Sequence, residues 1–479
     1  MRHLRSTLAV FCLAVTGLLL LASRAPLTAP AGAAATEVTR PNILVIMSDD
    51  QTVADMRVLP KTRALLGERG TTFANSFVSY PLCCPSRSTF LTGQFPHHHG
   101  VMANSGPNGG YQRLDHSNTL PAWLQEAGYY TAHIGKYLNN YGVDSPEPPP
   151  GWSRWFGLID PSTYRMYGYT VSDDGVPVTY GSRPEDYQTD VLAEEAERVL
   201  RSRAGSSQPF FVTVAPIAPH LERINGVQVP PRPAPRHEGR FAQEPFPAKP
   251  SFNEPDVADK PRHIQRLPVL STVTSARQVA IYRARLAALL AVDDLVERLV
   301  RTLTETGQLE RTVIVFTSDN GFLLGEHRIP DQKYYPYEES IRVPLIVRGG
   351  GFPAGATAGQ LVSNVDLAPT IVALAGARAR RKMDGRPLLP LALDPGEGKD
   401  RTLFIEGVGS GSGKPSFQAA RDARWLYVEY SNGGRELYNL QTDPFELSSR
   451  HAAPATAKTR ADLARRLARL RSCTGEACR

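Results

Sequence analysis

The chain's 479 residues are 41% hydrophobic and 21% charged, the balance of a folded globular protein and not of a disordered or low-complexity one. Its formal charge of +7 falls by three once the first 35 residues, with Arg2, Arg5 and Arg24 and no acid, are set aside. That excess is compatible with an anionic substrate and too small to argue for nucleic acid.

The chain opens with Arg2 and Arg5 ahead of the apolar run "LAVFCLAVTGLLLLA" and the small residues of "APAGAAATEV". Residues 1–35 therefore read as a secretory signal, cleaved after Ala33 or Ala35, because the run is short for a membrane span. A secreted or extracytoplasmic protein with no stable membrane insertion is expected. "NILVIMS" is a continuous apolar run, as a strand buried on both faces requires. "TRALLGERG" and "TLPAWLQEAGY" predict short helices, "YTAHIGKYL" a strand, "DYQTDVLAEEAERVLRSRA" a helix and "PFFVTVAPIAPH" a strand. The periodic segment "RQVAIYRARLAALLAVDDLVERLVRTLTETG" predicts a long helix leading into the strand "TVIVFTSDNG". "VPLIVRGGG" and the helix "VDLAPTIVALAGA" continue the alternation, which predicts an α/β sheet with helices on both faces.

Two segments interrupt this pattern. Residues 141–185 hold "DSPEPPPGWSRWFGLID" and the hairpin "YRMYGYTVSDDGVPVTYG", and residues 221–270 are rich in Pro, Arg and His. Long loops in a compact enzyme are commonly functional, and both are read as shaping a substrate site. Past residue 396, "RWLYVEY" and "RELYNLQ" predict antiparallel strands and "KTRADLARRLARLRSC" a closing helix. The expected organisation is a signal over 1–35, a main domain over 36–395 and a smaller subdomain over 396–479.

The chemistry sits at strand ends. Asp49 and Asp50 follow the first strand, and Asp319 and Asn320 follow "TVIVFTS". Open α/β sheets collect ligands outside the carboxyl ends of their strands. Three carboxylates and an amide oxygen gathered there demand a hard dication, calcium first and magnesium second. Past the signal four cysteines remain. Cys473 and Cys478 close a short loop suited to a disulfide in an exported protein. Cys83 and Cys84 are adjacent, a strained geometry for a mutual bridge, and no second Cys/His pair stands at zinc spacing. They begin the predicted helix "CCPSRSTFLTG", where free N–H groups and the dipole favour an anion and Arg87 adds a cation one turn in.

This last segment resembles the Cys-x-Pro-x-Arg signature of the formylglycine sulfatases. The resemblance implies that Cys83 is oxidised to formylglycine by a formylglycine-generating enzyme, with Cys84 only filling the variable position. "RPNILVIMSDDQ" and "TSDNGFLLGEHR" resemble the family's metal segments, which assigns Asp49, Asp50, Asp319 and Asn320, with Cys83, to one calcium ion. "IGKYLNNYG" resembles the sulfate-binding segment, here Lys136. "APIAPH" places His220 at the leaving-group contact, and "DQKYYPYEESIRVPLIVRGGG" supplies Lys333. The ordered set spans about residues 40–450. It implies an alkaline-phosphatase-like α/β sandwich, with a large mixed sheet flanked by helices and a smaller C-terminal antiparallel sheet.

"GKYLNNYG", "PPPGW" and "LAVDDLVERLV" are most similar to the N-acetylglucosamine-6-sulfatase and heparan endosulfatase branch, which implies a sulfated sugar or glycan substrate. One departure is Leu138, where many sulfatases carry the histidine of Gly-Lys-x-His. Asn139 and the triplet His97, His98 and His99 are candidates for that role. Within the fold, arylsulfatases and phosphodiester or phosphonate monoester hydrolases are the alternatives. A non-catalytic glycan-binding protein is disfavoured, since Cys83, Arg87 and the aspartates are all present.

Overall fold

The computed structural model describes residues 40–409 and 414–479, and within them Arg40–Arg479 forms one compact unit. The expected signal over 1–35 lies outside the described residues, among which no helix is long and apolar enough to cross a membrane.

The chain lays down β1 (Asn42–Ser48), β2 (Thr71–Phe77), β3 (Tyr130–Gly135), β4 (Arg154–Leu158), β5 (Thr170–Asp173), β6 (Val176–Thr179) and β7 (Phe210–Ala215). A two-stranded ribbon of β8 (Glu222–Ile224) and β9 (Val227–Val229) precedes β10 (Thr312–Ser318), β11 (Leu345–Arg348) and β12 (Ala356–Ser363). These build a ten-stranded mixed sheet in the order β12-β2-β11-β10-β1-β7-β3-β4-β5-β6. Its centre is parallel: β10, β1, β7 and β3 all run the same way.

Period-two burial of β1 explains its continuous apolar run. Leu44 and Ile46 face one core, and Ile43, Val45 and Met47 face the other. The first core is closed by helices Gln188–Ser202 and Thr272–Glu305, the second by Cys83–Thr92, Leu120–Glu126 and Leu367–Ala375. Along the 34-residue helix, Leu286, Leu289, Val292, Val296, Leu299 and Leu303 are fully buried at helical spacing. Each such side chain contributes about 1.5–3 kcal/mol relative to exposure.

A second sheet, β13 (Leu403–Gly407), β14 (Phe417–Arg421), β15 (Trp425–Tyr430) and β16 (Arg435–Asn439), is antiparallel throughout. One face packs Ile405, Val428 and Tyr438 with Tyr80, Tyr335 and Tyr337 of the main body; the other packs Phe404, Tyr427 and Leu437 on the helix Ala457–Ser472. A disulfide joins Cys473 to Cys478 beyond that helix, and Asp384 accepts from the Gly475 amide at 2.9 Å.

Some elements depart from expectation. The short helix expected over "TRALLGERG" starts two residues earlier and changes pitch, an α-helical turn over Pro60–Thr62 continued by a wider π-helical one over Arg63–Gly67. The segment over 141–185 is part of the fold: β4 to β6 extend the main sheet to its edge, and the hairpin forms as expected. In 221–270, Arg232 pairs with Glu222, Arg236 with Asp190 and Asp294, Lys249 with Glu339, and Lys260 with Glu254. Arg236 and Lys249 thus bind the segment to the rest of the protein, while Arg232 and Lys260 pair within it.

Candidate active site

Four neighbouring parallel strands end on one edge, and each delivers chemistry there. Ser48 of β1 pairs with Ser318 of β10, so Asp49 and Asp50 emerge beside Asp319 and Asn320. The Asp50 amide donates to Asp319 Oδ1 at 3.2 Å, and Asn320 Nδ2 donates to Asp50 Oδ1 at 2.6 Å. Next in the sheet, β7 leads into the turn carrying His220, and β3 ends at Gly135 with Lys136 following. Gly135 sits at φ +107°, and a Cβ there would lie 2.3 Å from the Ala215 carbonyl oxygen, so only glycine brings the chain past β7.

The helix Cys83–Thr92 enters this edge from the second core, buried along its whole length. Cys83 Sγ lies 3.7 Å from Asp49 Oδ1. Arg87 donates from Nε to Asp319 Oδ2 and from Nη1 to the Lys136 carbonyl, both at 2.8 Å. Lys136 pairs with Asp49, and Lys333 with Asp50. Lys333 is held beside Tyr334, whose φ of +86° is strained for a bulky residue; ring contacts to Tyr80 and Phe417 keep it there. Three buried carboxylates thus face three buried or part-buried cations.

The helix start differs from the expected anion site. The Cys84 amide donates to Asn104 Oδ1 at 2.9 Å, Pro85 has no N–H, and the Ser86 amide donates to the Leu82 carbonyl at 3.0 Å. With those donors spent, compensation for an anion falls on Arg87, Lys136 and Lys333.

Electrostatics follow from burial and pairing. Burial pushes the Asp49 and Asp50 carboxyls up, but Lys136 beside the first and Lys333 beside the second hold both below the ordinary value. Burial raises the Cys83 thiol to about 11 against the two lysines, leaving it protonated and a poor nucleophile at neutral pH. Burial also drives His220 down to about 4. Its Nδ1 donates to the Leu221 carbonyl at 2.6 Å, while Nε2 stands 3.5 Å from Asp50 Oδ2.

These residues fit a divalent cation. One ligand atom each from Asp49, Asp50, Cys83 and His220 lies within 4.8 Å of the others. Asp50 Oδ2 and Asn320 Oδ1 are buried acceptors with no hydrogen-bond partner. Asp319 adjoins this group but turns its oxygens to the Asp50 amide and Arg87. His220, read from sequence as a leaving-group contact, stands within this group and also lines the cavity beside it.

Of the candidates for the missing histidine, the structure brings Asn139 to this site and not the histidine triplet. Leu138 is buried in the second core. His97 bonds Glu406, His98 bonds Asp384 and His99 bonds Thr89, so all three are structural. Asn139 does reach the site: its Nδ2 donates to the Tyr164 hydroxyl at 2.7 Å and its Oδ1 is unpartnered. The His98 pair carries a pH signature. Its hydrogen bond to Asp384 raises the imidazole pKa above 6.5, with burial opposing. That stabilisation is complete below 6.5 and lost as pH rises through the folded value. Thermal melts of the native protein and His98→Gln are expected to differ most below pH 6.5 and to converge as pH rises above it.

Two residues escaped sequence reasoning. Arg285 is fully buried in the long helix, donating to the Asp50 carbonyl at 2.6 Å and the Pro219 carbonyl at 3.2 Å, with Asp55 3.4 Å away. It ties the β1 edge to the His220 turn. The signal was present: Arg285 interrupts the apolar stripe Ile281, Leu286, Ala288, Val292 of that helix. Arg285→Ala is expected to lose about 3–5 kcal/mol of stability, read from the denaturation midpoint. Tyr164, from the 141–185 insertion, packs its ring on His220 at 4.4 Å and under Lys136 Nζ at 4.7 Å.

Comparison with known proteins agrees with this geometry. The sulfatase family model matches residues 41–377, and the model described as N-sulphoglucosamine sulphohydrolase, C-terminal, matches 325–473. The chain is 34% identical to human N-acetylglucosamine-6-sulfatase over 489 residues, 92% of this chain and 86% of the relative. It is 34% identical to an arylsulfatase of Volvox carteri over 501 residues, 92% and 76% of the two chains. A protein solved with its substrate D-glucosamine-2-N,6-O-disulfate superposes with a TM-score of 0.76 at 25% identity, covering 90% of this chain and 97% of that one. The fold is alkaline-phosphatase-like, and the chain belongs to the sulfatase family of sulfuric ester hydrolases.

Proposed function

We propose that the protein removes sulfate from a sulfated sugar of the N-acetylglucosamine-6-sulfate kind, with formylglycine made from Cys83 as nucleophile and calcium as the ion. The observation that carries this reading is the convergence of Cys83 with Asp49, Asp50 and His220, ringed by Arg87, Lys136 and Lys333. The names of the human relative and of the substrate held by the structural neighbour support the sugar. The arylsulfatase relative supports aryl sulfates as the second reading.

Asp49, Asp50, Asp319 and Asn320 would hold the calcium, whose bound form supplies charge that lowers the pKa of an attacking oxygen. Cys83 would hold the formylglycine hydrate, whose two hydroxyls would supply a nucleophile for sulfur and a means of releasing the sulfate. The unmodified thiol is unsuited to either task, given its raised pKa. Arg87, fixed by Asp319 and the Lys136 carbonyl, has at Nη2, 3.6 Å from Asp49 Oδ2, a donor with no hydrogen bond to present to negative charge. Lys136 and Lys333 add point charges that offset what builds on the sulfuryl oxygens. His220, its Nδ1 proton committed to Leu221, is left with Nε2 to exchange a proton with the departing sugar oxygen.

Export is part of the same reading. A formylglycine-generating enzyme acts during maturation, the signal over 1–35 directs the chain out of the cytoplasm, and the Cys473–Cys478 bridge suits that compartment. Residues 36–395 are assigned as catalytic and 396–479 as a subdomain.

The test is mass spectrometry of the tryptic peptide "GTTFANSFVSYPLCCPSR" from protein made in its own host, with a sulfate-release assay on N-acetylglucosamine-6-sulfate and an aryl sulfate. The expected result is an aldehyde or its hydrate at Cys83, an alkylated Cys84, and turnover that chelation removes and calcium restores. Two alkylated thiols in an active preparation would overturn the formylglycine assignment.

A further inference from the structure

Opening off the catalytic cluster, with His220 and Lys333 in common, is a cavity of about 350 Å³ also lined by Asn139, Asp160, Tyr164 and Arg223 among others. The 141–185 insertion and the β8–β9 ribbon supply half of its lining. Their charges differ in what they are bound to. Lys333 is committed to Asp50. Asp160 accepts from the Asn140 amide through Oδ2 at 2.6 Å, while its buried Oδ1 has no partner. Arg223 has no hydrogen-bond or ion-pair partner for its guanidinium among the described residues, although its neighbours Glu222 and Arg232 pair with each other. Its place is nevertheless fixed: the Arg223 amide donates to the Tyr164 carbonyl at 2.8 Å, fastening the ribbon to the residue that stacks on His220.

Resting on the reading above, we propose that Arg223 is a specificity residue that binds a second anionic group on the substrate, a sulfate or carboxylate other than the one removed. A guanidinium fork matches either group through paired hydrogen bonds, and on an exposed ribbon it keeps its charge without a buried counter-ion. Asp160 sets the opposite condition. Its carboxylate, one oxygen held by the Asn140 amide and the other buried, repels an anion, so the second charge is steered to the Arg223 side of the cavity. A uniformly basic trough would bind any polyanion; this pairing of one free cation and one fixed carboxylate discriminates by position.

The experiment compares kcat/KM for sulfate release from N-acetylglucosamine-6-sulfate, D-glucosamine-2-N,6-O-disulfate and a 6-sulfated glucosamine linked to a uronic acid. The last two separate a sulfate from a carboxylate as the second anion. The active native enzyme is expected to favour at least one doubly anionic sugar by about three- to tenfold, less at high salt. Arg223→Ala and Arg223→Gln bring that ratio towards one through KM, Arg223→Lys falls between, and Arg240→Ala, an exposed arginine outside the cavity lining, keeps the native ratio. A native ratio near one, or an unchanged ratio in a folded Arg223→Gln, overturns the proposal alone. Native enzyme that releases sulfate from none of the three sugars overturns it together with the sugar reading.

Discussion

Cys83→Ala is expected to lower kcat/KM for sulfate release by roughly a thousand- to a millionfold, the scale of removing a nucleophile. The side chain is fully buried at the head of its helix, with only a 3.7 Å contact to Asp49, so the folded state should lose little. Cys84→Ala is the matched control. Cys84 packs into the second core, its backbone amide is held by Asn104 whatever the side chain, and its loss should cost about 1 kcal/mol of stability with turnover retained. Steady-state kinetics and thermal melts on both variants decide the matter. A Cys83→Ala protein with a tenth of native activity would falsify the nucleophile assignment.

Arg87→Lys is expected to reduce kcat by about a hundred- to a thousandfold and to destabilise the protein as well. The charge survives, but a lysine has one nitrogen where Arg87 uses Nε on Asp319, Nη1 on the Lys136 carbonyl and Nη2 near Asp49. Asp319 would then lack its best partner inside a dry site. A buried carboxylate stripped of its counter-ion costs about 3–5 kcal/mol. Activity and the denaturation midpoint should therefore fall together, unlike in Cys83→Ala. A variant that kept its kcat would show that the guanidinium serves only the scaffold.

The fold was legible where burial is symmetrical. β1, β7 and β10 are apolar runs because helices cover both their faces, and the long helix carries its period openly. β2 and β12 were missed because "TTFANSF" and "ATAGQLVS" mix polar and small residues and leave several positions part-exposed at the sheet edge. β13 and β14 of the second sheet were missed too, since "LFIEG" and "FQAAR" are short and weakly alternating. The site was readable at strand ends, where Asp49, Asp50, Asp319 and Asn320 stand beside recognisable runs. Arg285 and Tyr164 were not, because their value depends on partners 235 and 56 positions away in sequence that only the fold brings near. The occupied Cys84 N–H at the helix start belongs to the same class: Asn104 reaches it from a separate loop.

The complete burial of Cys83 sets a clock on the protein's own biogenesis. Once the helix Cys83–Thr92 docks against the sheet, no second macromolecule can reach that sulfur without the chain opening. Under the proposed modification of Cys83, quick folding, ordinarily an advantage, would compete with maturation. Chain that folded first would be stable, correctly shaped and without its nucleophile. The specific activity of a preparation would then report the race between two rates during synthesis more than the quality of the folded protein.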